Sequence, residues 1–173
     1  MNFQEIALPH FHALYNFARS IASTRQDAED LVQETYLRAF NKFDQFGYGT
    51  NIKAWMFKIL RNIAIDNHRN KDALSLADNE LCSDEQFFLV AKESNVDTSI
   101  DLKNALNQLP EHYRVVVLLK DVEGFNYNEI SDILSFPIGT VMSRLYRGRK
   151  QLFTLITGGK HKKSTSKLVM VKK

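Results

Sequence analysis

Apolar residues recur along most of the chain at the three- and four-residue spacing of an amphipathic helix. One such stretch runs from Phe3 to Ala22 with a break at Pro9, a second begins at Asp27 as its N-cap and extends to about Phe43, and a third covers Ile52 to about Asn70. The segment Val115–Leu119 has strand propensity, but the chain offers no second candidate strand to pair with it. The pattern therefore predicts an all-α fold.

The C-terminal part of the pattern predicts a helix-turn-helix. Helical spacing predicts one helix at residues 101–109 and another at Glu111–Val122. Gly124 can end the second of these helices in a left-handed conformation. Asn126 then opens a capping-box signature, and Pro137 suits the first turn of a second helix after a tight turn. The buried stripe predicted for this second helix comprises Ile138, Val141, Leu145, Leu152 and Leu155. Its outward face carries Ser143, Tyr146, Arg147 and Lys150.

Composition divides the chain into two small helical domains. The stretch between them loses helical periodicity and is rich in acidic and small polar residues, which indicates a flexible linker with at most a short helix at Phe87–Ala91. The predicted boundaries are 1–72 for the N-terminal domain, 73–100 for the acidic linker, 101–157 for the C-terminal domain and 158–173 for a basic, disordered tail. From Gly139 onward there are ten Lys or Arg and no Asp or Glu, although the net charge of the chain is only +3. This asymmetry indicates a polyanionic partner.

The sequence offers little for catalysis or metal binding. The single Cys82 cannot form an internal disulfide or a cysteine-only zinc site, and His10 and His12 have no third ligand nearby. No glycine-rich phosphate loop and no nucleophile paired with a base is present. We therefore expect a non-enzymatic protein without a metal, cofactor or small-molecule substrate. Because no signal-peptide pattern and no run of about eighteen apolar residues occurs, we expect a cytoplasmic location.

The cationic face of the last helix is the best candidate for a binding site. Arg, Lys, Ser and Tyr side chains can donate to phosphates and base edges when a helix lies in the major groove of DNA. The alternative is a merely solvated charged face, which is what most charge runs are.

The third long helix, from Ile52 to about Asn70, interleaves aromatic residues with cations, a combination that can bind single-stranded nucleic acid. The alternative for Trp55 is a core position, because a Trp on an apolar helical face is usually buried.

Two sets of motifs occur in a definite order. The first set comprises Ala28–Thr35, Gly49–Trp55 and Arg61–Asp66, and the second comprises Leu109–Gly124, Asn128–Ile130, Pro137–Val141 and Ser143–Leu145. Across about residues 10 to 155, this order and spacing resemble a bacterial RNA polymerase sigma factor of the small, two-domain extracytoplasmic-function (ECF) group of the sigma-70 family. The resemblance implies a subunit that binds core RNA polymerase, recognises two promoter elements and promotes strand opening.

The resemblance also implies a role for particular residues. Those expected to bind the clamp helices of the polymerase are Asp30, Gln33 and Glu34. Those expected to bind the unpaired non-template strand of the minus-10 element are Asn51, Lys53, Arg61 and Asn62. Those expected to bind the duplex minus-35 element are Thr140, Ser143, Arg144, Tyr146 and Arg147, together with Lys150 from the outward face. Met142 departs from the family, which commonly has Lys or Arg there.

Two further expectations concern partners. Many members of this family are held inactive by an anti-sigma protein, so we expect such a partner here, although no residue identifies it. The alternative function is a stand-alone helix-turn-helix repressor or activator whose N-terminal half senses a signal or dimerises. Charge reversal on the surface formed by Asp30, Gln33 and Glu34 separates the two functions, because only a sigma factor would lose binding to core polymerase.

Overall fold

The computed structural model of the chain describes residues 2–47, 49–75 and 99–157. These residues form helices and no strand, which confirms the all-α prediction. The α-helices are α1 Phe3–Ala7, α2 Phe11–Ile21, α3 Arg25–Asn41, α4 Ile52–Ser75, α5 Ser99–Gln108, α6 Glu111–Val117, α7 Tyr127–Leu134 and α8 Ile138–Ile156. Residues 76–98, with most of the predicted linker and its short helix at Phe87–Ala91, and the tail at 158–173 lie outside the described residues.

The N-terminal half is built from α1 to α4. Pro9 lies in a 3₁₀ turn between α1 and α2, where the sequence predicts a break. The backbone N of Asp27 donates to Thr24 Oγ1 over 3.0 Å, and Thr24 N donates to Asp27 Oδ2 over 3.2 Å. Asp27 is therefore the third helical residue of a capping box and not the predicted N-cap, because Thr24 supplies the extended backbone and the hydroxyl of that position. The apolar faces of α2, α3 and α4 bury Leu14, Phe17, Val32, Phe57 and Leu60.

Aromatic rings hold the loop between α3 and α4 in place. The rings of Phe43 and Phe46 stack with centroids 6.1 Å apart, and Phe46 lies 5.3 Å from Trp55 on the first turn of α4. Asn51 ends the loop, since its Oδ1 accepts from the backbone N of Lys53 over 3.1 Å. The start of α4 is thus fixed to the loop by packing and by a cap.

The C-terminal half departs from the predicted single helix at residues 111–122. The α-helix α6 ends at Val117 and continues as a π-helical turn at Leu118–Val122. This turn is closed by the backbone N of Glu123, which donates to the Leu118 carbonyl over 3.0 Å. Gly124 then adopts the expected left-handed conformation, with φ of 78°. Helical periodicity does not predict this widened last turn, and Val122 at its end is 63% exposed although Leu119 is fully buried.

The helix-turn-helix is present at α7 and α8. Glu129 N donates to Asn126 Oδ1 over 2.9 Å and Asn126 N donates to Glu129 Oε2 over 2.8 Å, which completes the predicted capping box. The turn passes through Ser135, whose φ is 54°, and Pro137 is the N-cap of α8 and not its first helical residue. Val141 and Leu145 are buried as predicted, whereas Ile138, the first residue of α8, is 42% exposed.

The two halves pack against each other. Helix α4 contacts α7, and α2 contacts α6, so the buried residues of both halves form one continuous cluster. The ring of Phe57 on α4 lies 5.0 Å from that of Phe125, which directly precedes the capping box of α7, in an edge-to-face arrangement. Both rings are almost fully buried. This contact brings the C-terminal half onto the same side of α4 that carries the predicted DNA-binding cations.

Candidate nucleic-acid interface

The outward face of α8 is exposed and cationic. The predicted residues Ser143, Tyr146, Arg147 and Lys150 are all exposed, and Tyr146 keeps 70% of its surface. Tyr146, Arg147 and Lys150 make no side-chain hydrogen bond or ion pair with another residue that the structure describes. Thr140 is half-buried, and its carbonyl accepts from Ser143 Oγ over 3.0 Å. Tyr146, Arg147 and Lys150 can therefore donate to phosphates and base edges without first breaking a side-chain contact with another described residue.

Arg144 differs from its neighbours on α8. Its side chain is half-buried, and the guanidinium carbon lies 4.2 Å from the centroid of Phe136, the residue before Pro137 in the turn. This is a cation–π contact that orients Arg144 toward the turn and away from the outward face. Arg149 is also engaged, since its Nε donates to Asp121 Oδ2 over 3.0 Å. The cations available on the outward face are thus Arg147 and Lys150.

The predicted polymerase surface lies on α3. Asp30 and Gln33 are exposed and Glu34 is half-buried, with Arg38 Nε donating to Glu34 Oε1 over 2.7 Å. One turn further along this face, Leu37 is 56% exposed. An exposed leucine beside carboxylates and an amide provides apolar area to a protein partner that DNA would not need. The helical pattern of the sequence places Leu37 on this exposed face, but the family resemblance assigns a role only to Asp30, Gln33 and Glu34.

The predicted single-strand residues lie at the start and middle of α4, and the structure brings three of them against the C-terminal half. Asn62 is exposed. Asn51 Nδ2, by contrast, donates to Glu129 Oε1 over 2.6 Å. Arg61 Nη1 donates to Ser135 Oγ over 3.5 Å, and its guanidinium carbon is 5.8 Å from the centroid of Phe136. These contacts span more than seventy residues of sequence.

Lys53 is half-buried and contacts both an acidic and an aromatic residue of the C-terminal half. Its Nζ lies 2.7 Å from Glu123 Oε2 and donates to the Glu123 carbonyl over 3.0 Å, and it also lies 5.0 Å from the ring centroid of Phe125. His10 lies close enough to respond to this pair: burial and the charge of Lys53 lower the pKa of His10, and Glu123 partly opposes them. Burial and the nearby ammonium group thus both favour the neutral imidazole.

A second ion pair is buried at the start of α6. Arg114 Nη2 lies 3.6 Å from Glu111 Oε2, and Arg114 Nη1 donates to the Asn107 carbonyl over 3.3 Å. Arg114 Nε is buried and has no hydrogen-bond partner among the residues that the structure describes. Burial raises the pKa of Glu111 to about 8, although the nearby charge of Arg114 opposes the rise. The long separation leaves the carboxylate only weakly compensated, so Glu111 takes a proton near neutral pH.

The described residues contain neither a cluster of metal ligands nor a helix that could span a membrane. Across the described ranges, no three His, Cys, Asp or Glu side chains lie close enough together to hold a metal ion. None of the helices at residues 2–75 and 99–157 combines the length and the apolar character needed to cross a bilayer.

Two family models match this chain. Residues 8–73 match the model described as "Sigma-70 region 2", and residues 99–152 match "Sigma-70, region 4". Together the two models cover more than half of the chain, in the same order as the two halves of the fold. A stand-alone repressor or activator would not carry the first of these regions, so that alternative is wrong.

Similar proteins and a similar solved structure point to the same family as the two family models. The chain is 32% identical to the ECF RNA polymerase sigma factor SigE of Mycolicibacterium smegmatis over 87% of its own length and 60% of that protein. It is 33% identical to the ECF RNA polymerase sigma factor EcfG of Rhodopseudomonas palustris, over 87% of this chain and 81% of that one. The sigma factor RpoE of Bartonella quintana, solved with the anti-sigma factor NepR, superposes with a TM-score of 0.72 at 35% identity, over 90% of this chain and 96% of that chain. The chain belongs to the sigma-70 family of RNA polymerase sigma factors and, within it, to the extracytoplasmic-function group.

Proposed function

We propose that this chain is the promoter-specificity subunit of a bacterial RNA polymerase: it binds the core enzyme, directs it to promoters through their minus-35 and minus-10 elements, and promotes strand opening. The observation that supports this most directly is the exposed, unpaired cationic face of α8 in a chain that also carries a region 2. A helix-turn-helix with such a face fits duplex DNA, and region 2 accounts for the rest of the chain.

The DNA contacts follow from the exposure of each side chain. The side chains of α8 that would contact the minus-35 duplex are Thr140, Ser143, Tyr146, Arg147 and Lys150. Arg144 would have to leave the ring of Phe136 before it could do so, and we propose that it supports the turn as well. The residues proposed for the non-template strand of the minus-10 element are Asn51, Lys53, Arg61 and Asn62 on α4.

A large partner is required for strand opening. Melting about ten base pairs gives up roughly 1.4 kcal/mol for each stacked step, which is on the order of 14 kcal/mol. Two small helical domains bury too little surface to hold such a bubble open on their own. We propose that Asp30, Gln33, Glu34 and the exposed Leu37 form the surface that binds core polymerase, and that the protein performs no catalysis itself.

Domain boundaries, regulation and location belong to the same proposal. The N-terminal domain would cover residues 1–72, the linker 73–100 and the C-terminal domain 101–157, with a basic tail at 158–173. An anti-sigma protein is a further proposed partner, because the Bartonella relative was solved with one. Since core polymerase is cytoplasmic, we place this protein in the cytoplasm.

The function is tested by transcription from core polymerase. The purified chain should confer promoter-specific transcription on a core enzyme that lacks it, and charge reversal at Asp30 and Glu34 should abolish both transcription and binding to core. Glu5→Lys, at an exposed position of α1, is the matched control and should have no effect. Tight binding of the free chain to a duplex operator, without any association with core polymerase, would contradict the proposal.

Contact with the minus-35 element is tested at Arg147. We expect Arg147→Ala to weaken promoter binding by the holoenzyme by about 1 to 3 kcal/mol and to relax preference at one or two base pairs. Lys163→Ala in the tail should instead weaken binding to all sequences alike, because we expect a lysine of the basic tail to contact phosphate only. An equal, sequence-independent loss in both variants would mean that Arg147 contacts only the backbone.

A further inference from the structure

The first turns of α8 carry exposed apolar side chains. Ile138, Met142 and Tyr146 are 42%, 51% and 70% exposed. Residues four apart lie above one another on one side of a helix, so these three form a row, which we call the apolar ridge. In helix-turn-helix proteins the N-terminal residues of the second helix contact the base edges. The apolar ridge therefore lies on the part of α8 that would read sequence.

The described start of α8 has a single cation, and that cation is engaged. The only charged residue between Ile138 and Tyr146 is Arg144. Its guanidinium carbon lies 4.2 Å from the ring centroid of Phe136 in the preceding turn. The next cation along the helix is Arg147. Guanine is read best by an Arg or Lys that donates to its O6 and N7 atoms, so the start of α8 is not built to select guanine.

A neighbouring hydroxyl group indicates which base pair the start of α8 suits. Ser143 Oγ donates to the Thr140 carbonyl over 3.0 Å, so its proton is used within the helix. Its lone pairs remain available to a donor from outside. In the major groove, adenine offers an amino donor at N6 and thymine offers an apolar methyl group at C5. An A·T pair presents both groups, and it therefore suits Ser143 next to Met142.

The charge of the surrounding face favours DNA over a protein as the partner of the apolar ridge. From Gly139 to the C-terminus the chain has ten Lys or Arg and no Asp or Glu. Arg147 and Lys150 are exposed on the adjoining outward face of α8. A single exposed methionine would mean little, because isolated apolar side chains are common on protein surfaces. An apolar ridge beside cations, by contrast, matches a groove with thymine methyl groups on its floor and phosphates along its edges.

We propose that Met142 is a specificity-determining residue that contacts the C5 methyl group of a thymine in the minus-35 element. The inference rests on the proposed function and deepens it, because it assigns the base that α8 reads at one position. Ile138 and Tyr146 flank the methionine and help to exclude water from the contact. Burial of one methyl-sized group corresponds to about fourfold in affinity. The Lys or Arg that the family commonly has at this position would donate hydrogen bonds instead.

The test compares thymine with uracil, which lacks only the C5 methyl group. Core polymerase carrying the full chain first selects promoters from a duplex library that is randomised over the minus-35 and minus-10 segments. Each thymine of the selected minus-35 element is then replaced by uracil in turn, and binding of the holoenzyme is measured with fluorescent duplexes. We expect at least one replacement to weaken binding by about fourfold.

Two variants assign this effect to Met142. With Met142→Ala, the thymine and uracil duplexes should bind equally at that position, because the shortened side chain no longer reaches the methyl group. The matched control is Val122→Ala, which shortens another exposed apolar side chain of the same half, on the π-helical turn. This control should keep the ratio of about fourfold between thymine and uracil. Both positions are exposed, so neither substitution should unfold the chain.

A third variant tests specificity directly. The holoenzyme with Met142→Arg should select a G·C pair in place of the thymine-containing pair, because Arg can donate two hydrogen bonds to guanine. A methionine that only supported the fold would not exchange one preferred base pair for another. Selection of the same thymine by Met142→Arg would therefore contradict the assignment.

Other results would also overturn the inference. They are a selected minus-35 element without thymine on either strand, equal binding of all thymine and uracil duplexes by the unmodified chain, and a thymine-to-uracil ratio that Met142→Ala leaves unchanged. Unaltered promoter binding by Met142→Ala would overturn it as well, and would leave the apolar ridge to a protein partner. In each of these cases the holoenzyme still selects promoters, so the proposed function stands. If the library yields no enriched promoter, the proposed function fails, and this inference fails with it.

Discussion

Gly148 sits where α8 crosses α6, and replacing it by alanine should weaken the packing that positions the DNA-binding face. A Cβ at this position would lie 3.0 Å from Val117 Cγ2 and 3.1 Å from Tyr113 Cβ. It would also lie 3.4 Å from the Tyr113 carbonyl oxygen, which is backbone and cannot rotate away. The two helices approach closely here because position 148 has no side chain.

Two opposing terms set the size of the effect. Alanine is favoured over glycine in the interior of a helix by about 1 kcal/mol. Insertion of a methyl group into a packed contact costs about 1 to 3 kcal/mol, because neighbouring groups must shift. The net expectation for Gly148→Ala is a loss of up to about 2 kcal/mol in the free energy of unfolding.

Gly139 on the same helix provides the matched control. A Cβ there meets nothing within 4 Å, so Gly139→Ala carries the propensity gain without the steric cost. Urea unfolding followed by circular dichroism should place Gly148→Ala about 1 to 3 kcal/mol below Gly139→Ala. Equal stability of the two variants would mean that α6 and α8 accommodate the added methyl group without loss of free energy. The close approach of the two helices would then not be what holds α8 in place.

Two other residues give predictions of stability. Burial raises the pKa of Glu111 from 4.5 to about 8, so the folded chain keeps a proton that the unfolded chain releases. The free energy of unfolding should therefore fall between about pH 5 and pH 8, by at most about 5 kcal/mol. Glu111→Gln cannot ionise and should lose this dependence in urea unfolding at several pH values; an identical slope in both proteins would assign it to other groups. Asn126→Ala should cost about 1 kcal/mol, because Glu129 N loses its acceptor at the start of α7. Asn126→Asp should restore stability in the same assay, and failure to do so would show that the cap contributes little.

Local features of this fold can be predicted from the sequence because they depend on neighbours in the chain. The capping box at Asn126 needs only Glu129 three residues later, and the exposure of Arg147 and Lys150 follows from the stripe of Val141 and Leu145. Ile138 shows the limit of this reasoning. Periodicity assigns it to the buried stripe, but whether a partner helix reaches that end of α8 depends on the fold, and the side chain is 42% exposed.

Contacts between the halves could not be predicted, because sequence spacing carries no information on pairs that are far apart in the chain. Lys53 and Glu123 each look like a solvated charge in their own segment, and only the folded chain brings Nζ and Oε2 to 2.7 Å. Phe57 and Phe125 likewise belong to the apolar patterns of two different halves, and neither pattern indicates that the rings meet.

The case of Lys53 also shows why a cationic helix face does not by itself identify its partner. An ammonium group binds a phosphate or a glutamate by the same charge-assisted hydrogen bonds, so Lys53 on α4 can bind DNA or Glu123 equally well. The two faces differ in what surrounds them. On α8 the cations Arg147 and Lys150 meet no carboxylate among the described residues, whereas Lys53 on α4 faces one from the other half of the chain. Lys53 can pair with a phosphate only in exchange for Glu123, so the strength of this internal ion pair, and not the charge of Lys53 alone, determines what a DNA contact there would contribute.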